Sequence, residues 1–193
     1  MPILGIIASS FRSAAGPSGA YDSLATVTLS SSTASITFAG IPAGYKHLQL
    51  RMFMQSNRGT YGTDNVSLRI NGDSGANYAY HYLRGNGSTA AASGTSSQTE
   101  ITEFTTQGCG TSTGGTFGAG IADILDYTST NKYKTVRNLS GVDLNGAVGG
   151  GYGYVSLVSG LWQSTSAITS LLLYPVNGTA FTQYSSFALY GIK

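Results

Sequence analysis

Apolar and polar residues alternate through most of this chain, and the alternation is densest between Ala34 and Gly87. Ala34, Ile36 and Phe38 are interleaved with Ser35 and Thr37, and Leu48, Leu50 and Met52 with Gln49 and Arg51. Val66, Leu68 and Ile70 are interleaved with Ser67 and Arg69. Successive side chains of an extended strand point to opposite faces, so a period of two gives one core face and one wet face. A helix needs apolar residues at i, i+3, i+4 and i+7, and none of these runs supplies them. The pattern predicts antiparallel β-structure.

Taken in order, Tyr21–Ser30 puts Ala25, Val27 and Leu29 on one face. The serine turn Ser30-Ser31-Ser32 is expected to return the chain antiparallel into Thr33–Phe38. Pro42 and Gly44 interrupt the ladder, where the chain crosses between sheets. Asn71-Gly72 reads as a hairpin turn between Val66–Ile70 and Asn77–Leu83, because both residues tolerate positive φ. Within Asn77–Leu83, Tyr78, Tyr80 and Tyr82 share a face opposite His81 and Leu83. Gly85–Thr99 is small and polar and reads as an exposed, mobile loop. Further strands are expected at Glu100–Thr105, Ile121–Tyr127, Lys132–Val142, Tyr154–Trp162, Ala167–Tyr174 and Ser186–Ile192. The fold class is therefore all-β, an antiparallel two-sheet sandwich, jelly-roll-like, of about ten strands. Residues 21–193 make the sandwich; residues 1–20 join an apolar patch to a Gly/Ser/Ala/Pro spacer, an extended N-terminal arm. On that arm Ile3, Leu4, Ile6 and Ile7 are the side chains to be buried, either on the chain's own sheet or on a neighbouring subunit.

Composition narrows the function. With 193 residues and 41% hydrophobic content the chain can bury a sizeable core. Only 9% of residues are charged, so the surface is rich in hydroxyls, which suits a protein held in a large assembly or one that meets sugars. The net charge is +2 with no basic run, so a nucleic-acid footprint is not expected. Cys109 is the only cysteine, which excludes an intrachain disulfide and a cysteine zinc site. Met1–Ser10 lacks the basic region of a signal peptide, and no run is long enough for a helical membrane span.

Chemistry is sparse. Glu100 and Glu103 lie three apart on one strand and are expected to face opposite ways, which denies a local carboxylate pair for glycoside hydrolysis. His47 and His81 fall on separate strands without metal-ligand spacing, His47 as a surface histidine and His81 half-buried. Asp64-Asn65 and Asn71-Gly72-Asp73 read as turn residues bonding their own backbone rather than as a calcium loop. No catalytic residue, metal or cofactor is expected. The aromatics remain: Tyr61, Tyr78, Tyr80, Tyr82 and Tyr152 are the candidates for stacking on a glycan or contacting another subunit.

The runs SITFAGIPAGYKHLQLRMFMQS, VSLRINGDSGANYAYHYLRGNGS, FGAGIADILDY, NKYKTVRNLSG, SGLWQSTSAITSLLLY and QYSSFALYGIK resemble small virion structural proteins of tailed bacteriophages. The resemblance covers most of the chain from Tyr21 onward. It implies a non-enzymatic component of the particle exterior, present in the host cytoplasm during assembly. A short tail fibre or tail-surface protein assisting host attachment is the first expectation, and a capsid decoration (cement) protein the alternative. It implies other tail, baseplate or capsid proteins as partners, a homotrimer, and a host-surface glycan as ligand. Met1–Ile7 would anchor the chain, with the loops around Thr60, Ala90 and Gly150 facing outward. A stand-alone carbohydrate-binding module is the competing class.

Overall fold

The computed structural model describes residues 19–59, 61–109, 115–145 and 153–193, with the backbone alone for Ile6–Ile7 and residues 107–109. Among the described residues thirteen strands fall into two sheets, joined at one corner. Sheet A runs in the order β1 (Ile6–Ile7), β3 (Ile36–Ala39), β12 (Ser170–Pro175), β5 (Thr63–Ile70) and β8 (Ile101–Cys109). Sheet B begins β2 (Tyr21–Thr28), β13 (Ser186–Ile192), β4 (His47–Ser56) and β9 (Gly118–Ile124). It continues through β10 (Lys134–Asp143), β11 (Gly153–Trp162), β6 (Tyr78–Gly85) and β7 (Ala90–Gln98). All pairings are antiparallel except β1 on β3 and the corner where Gln55 and Ser56 meet Gly108 and Cys109. The sandwich expected from the alternation is present.

The core lies between the sheets. Ile36, Phe38, Val66, Leu68, Ile70, Leu171 and Leu173 of sheet A are buried against Leu48, Leu50, Met54, Phe187 and Leu189 of sheet B. Each such side chain contributes about 1.5–3 kcal/mol by leaving water. The sheets also touch through polar groups: Ser140 Oγ accepts from Thr106 N at 3.2 Å, and Asn138 Nδ2 donates to the Phe104 carbonyl. The inward face of β10 is Lys134, Val136, Asn138, Ser140 and Val142, while Leu139 is turned to solvent. Lys134 is wholly buried and donates to the carbonyls of Ser129 at 2.6 Å and Lys132 at 2.9 Å. Burial lowers its pKa below the usual lysine value.

Three local expectations are corrected. Tyr21–Ser30 and Thr33–Phe38 do not form a hairpin: β2 pairs with β13, and β3 pairs with β12 in the other sheet. Leu29 N bonds the Ser185 carbonyl at 2.9 Å and Thr33 N the Phe181 carbonyl at 3.0 Å, so the serine turn carries the chain between sheets. Asn71 and Gly72 do adopt positive φ, 52° and 68°, but they too connect sheet A to sheet B. The hydroxyl of Tyr78 accepts from Ile70 N at 3.0 Å, so a side chain occupies the place of a hairpin partner. Finally, Gly85–Thr99 is not a loop along its length, because Ala90–Gln98 is β7, paired with β6. Ladder bonds need no apolar side chains, and at Gly94 a Cβ would stand 2.2 Å from the His81 ring. Ala90 therefore opens a strand; Thr60 and Gly150 lie outside the described residues.

Candidate functional site

β5 alternates cleanly: Val66, Leu68 and Ile70 enter the core, and Asn65, Ser67 and Arg69 take the other face. Its neighbour β8 does not keep step. Val66 faces Thr105, yet Leu68 faces Ile101, so β8 carries extra residues across this interval. The irregularity brings both glutamates to the same side of β5. Glu100 accepts from Ser67 Oγ at 3.1 Å and from Arg69 Nη2 at 2.8 Å; Glu103 accepts from Asn65 Nδ2 at 2.7 Å. The expectation that they face opposite ways is therefore wrong, because it assumes an unbroken period of two. Each is tied to an arginine, Glu100 to Arg69 and Glu103 to Arg84 at 3.4 Å. Burial raises the pKa of Glu103, and Arg84 opposes that rise.

At the head of β5, Asp64 has no side-chain exposure and organises the surrounding loops. It accepts from Ser56 Oγ at 2.9 Å, Asn65 N at 2.8 Å, Asn177 Nδ2 at 2.8 Å and Gly178 N at 2.8 Å. Asp73 is likewise occupied, by Gly75 N, Asn77 Nδ2 and, at 2.7 Å, Trp162 Nε1. Those donors, led by the indole, hold its pKa below the usual carboxylate value. Both aspartates are thus structural acceptors, and Asp64 joins segments far apart in the chain rather than its own turn alone.

Where β5 and β8 of sheet A meet β6 and β11 of sheet B, a cleft of about 210 Å³ opens. Arg58, Tyr61, Asp64, Asn65, Arg84 and Tyr154 line it, with Thr63 and Thr106. Guanidinium groups lie over tyrosine rings: Arg58 over Tyr61 at 4.2 Å, and Arg84 over Tyr82 at 4.6 Å and Tyr154 at 5.6 Å. Beside it, Arg69 lies over Tyr174 at 5.7 Å and donates to its hydroxyl at 3.1 Å. Stacking and ion pairing together hold planar donors in set positions. Each arginine has a carboxylate beside it (Arg58 and Asp64 are 3.9 Å apart), so the cleft carries little net charge. Closely spaced donors and acceptors next to ring faces match a hydroxyl-bearing neutral ligand better than a free anion.

The aromatic residues singled out from the sequence have different fates. Tyr61 is 52% exposed on the cleft, and Tyr82 lies beneath Arg84. Tyr80 is half-buried, its pKa raised by burial and by the Glu103 charge. Tyr78 is fully buried in the core, where burial pushes its pKa up to about 12. The three tyrosines of β6 do share a face, but that face looks into the sandwich and is no open platform. Tyr152, Ile3 and Leu4 lie outside the described residues; the backbone of Ile6 and Ile7 adds β1 to the edge of sheet A. His81 is exposed rather than half-buried, and His47 Nδ1 accepts from Asp126 N at 3.0 Å. Arg58, Arg84 and Tyr154 were not singled out by sequence, and Glu103 was weighed there only as half of a carboxylate pair. Arg84 alone had a readable signal, since it follows Tyr80 and Tyr82 on the same strand face. Among the described residues no group of three or more His, Cys, Asp or Glu is placed to hold a metal ion. Comparison of the chain with protein-family models, curated proteins and solved structures finds no match.

Proposed function

We propose that this chain is a non-enzymatic structural protein of a tailed-phage particle, exposed on its exterior as a short tail fibre or tail-surface protein. In this reading it assists host attachment by holding a host-surface glycan in the cleft between the sheets. The cleft carries the glycan part: Tyr61 offers an exposed ring held by Arg58, and Thr63, Asn65 and Arg84 offer donors and acceptors to hydroxyls. The particle part rests on the sequence resemblance, whose runs coincide with framework strands such as β3, β4, β5 and β13.

Binding of the purified chain to a panel of neutral and acidic glycans tests the first part. Saturable binding to neutral members is expected, weakened about tenfold by Tyr61→Ala, which removes one stacked ring. No binding to any member, or binding indifferent to Tyr61, sinks the glycan reading. Quantitative mass spectrometry of purified particles tests the second part. A low copy number fits a fibre, a high one a decoration protein, and absence from particles rejects the whole reading.

A further inference from the structure

The outward face of sheet B is apolar in an ordered way. In register across β6, β11, β10 and β9, Leu83, Leu157, Leu139 and Ile121 stand directly opposite one another. They are 56%, 45%, 59% and 49% exposed. The adjacent rung holds Val155, Gly141, Ala119 and Phe53, and the Phe53 ring stacks on Phe117 at 5.1 Å. On the other side the rung is polar: His81, Ser159, Arg137, Asp123 and Gln49. Single exposed leucines are ordinary on protein surfaces, whereas two adjacent apolar rungs of four strands each, the leucine rung ending at Arg51 of β4, form a patch. Every exposed leucine, isoleucine or valine among the described residues belongs to this face or is Leu125, which follows β9 directly.

We infer that this face is a self-association surface, on which a second copy of the chain packs sheet to sheet about a two-fold axis. This is independent of the glycan reading and departs from the homotrimer that the resemblance implies. The occupant follows from three observations. First, the described surface has no other aliphatic patch, so the best complement to this face is the same face, which is what a two-fold interface requires. Second, the polar rung carries both signs. Among the described residues Arg137 forms no ion pair and Asp123 accepts only from Gln49 Nε2, at 2.9 Å. They are cross-strand neighbours, so a two-fold axis lying along the strands between β9 and β10 sets each against its opposite in the other copy, with Leu139 against Ile121. Third, the size is adequate. Five strands about 4.8 Å apart, each contributing about seven residues of 3.4 Å, span roughly 600 Å² in projection and more as accessible surface. A standard interface takes about 800 Å² from each partner. An apolar centre beside a polar rim is the usual anatomy of such contacts.

Sedimentation equilibrium of the full chain over a wide concentration range tests the pairing. A monomer–dimer equilibrium is expected. The double variant Leu139→Thr, Leu157→Thr should raise the dimer dissociation constant at least tenfold with unchanged circular dichroism, because threonine suits an exposed strand. A monomer at the highest concentration, a trimer, or a dimer that the variant leaves intact would each overturn the inference. A charge swap tests it without touching the apolar rungs. Arg137→Asp alone should weaken the dimer, and adding Asp123→Arg should restore it. Failure of the swap to restore pairing would likewise overturn the two-fold arrangement.

Discussion

On the outward side of sheet A, Arg69 holds Glu100 at 2.8 Å, lies over Tyr174 and bonds its hydroxyl, and Ser67 donates to the same glutamate. On the outward side of sheet B, Leu83, Leu157, Leu139 and Ile121 stand half exposed in a row. Both faces cover the same core with strands of similar length. The first largely satisfies itself: polar groups withdrawn from water need partners, and here the Arg69 Nη2, Ser67 Oγ and Glu100 groups find them within the chain, while Arg69 Nε does not. The second leaves its apolar area in water, so burying it contributes nothing to the isolated fold and is left to an encounter with another molecule. Stability is therefore invested in the polar region, and association in the apolar one.

Substitutions can break that contrast, and their effects are expected to fall in a definite order. Asp64→Ala removes the acceptor for four close donors at a site without solvent access, and should cost about 3–5 kcal/mol in urea unfolding. A loss below 1 kcal/mol would mean that those loops hold together without it. Arg69→Met keeps the aliphatic stem but strands Glu100, and should cost about 2 kcal/mol by the same measurement.

Glu103 gives a smaller effect with a pH signature. Its folded pKa is raised, so its contribution to stability is fully present below the unfolded value and is lost as pH rises through the folded one. Glu103→Gln should then be more stable than the parent at pH 8, by about 1 kcal/mol or less, with the difference vanishing toward pH 4. Unfolding curves at the two pH values decide it; a parent chain equally favoured at both would show that Arg84 cancels the burial cost. Least of all, Leu139→Thr should change stability by no more than about 0.5 kcal/mol in dilute solution. Its mark is elsewhere: the melting temperature should depend less on protein concentration than the parent's.

How far the fold was legible depended on which physical scale set each feature. Strands such as β4 and β5 are written in their own alternation, because one buried face imposes a period of two on neighbouring residues. Pairing was not legible at Ser30-Ser31-Ser32 or Asn71-Gly72. Each turn was rightly placed, but whether a turn joins strands of one sheet or of two is decided by distant partners, β13 for β2 and β11 for β6. β7 was invisible because an edge strand of Ala, Ser, Gly and Thr is held by its backbone alone. The glutamates misled because a single ladder irregularity reverses which face a residue takes. On β10 the alternation was visible but its sense was not: Lys134 and Asn138 go inward, satisfied by carbonyls that only the folded chain supplies, and Leu139 goes outward. Of the cleft, Tyr61 was within reach of sequence reasoning, whereas its arginines come from β6 and from the segment before β5, which no local pattern connects.

The place of β13, between β2 and β4, sets the timing of assembly. Tyr21 pairs with Ile192, and His47 pairs with Ile192 from the other side. Neither early strand can find this partner until residues 186–192 have left the ribosome. Such long-range pairing places the chain among slow folders, on a millisecond-to-second scale. Until that strand arrives, β2 and one edge of β4 are unpaired templates, and the nascent chain is then most open to chaperones and to misassembly.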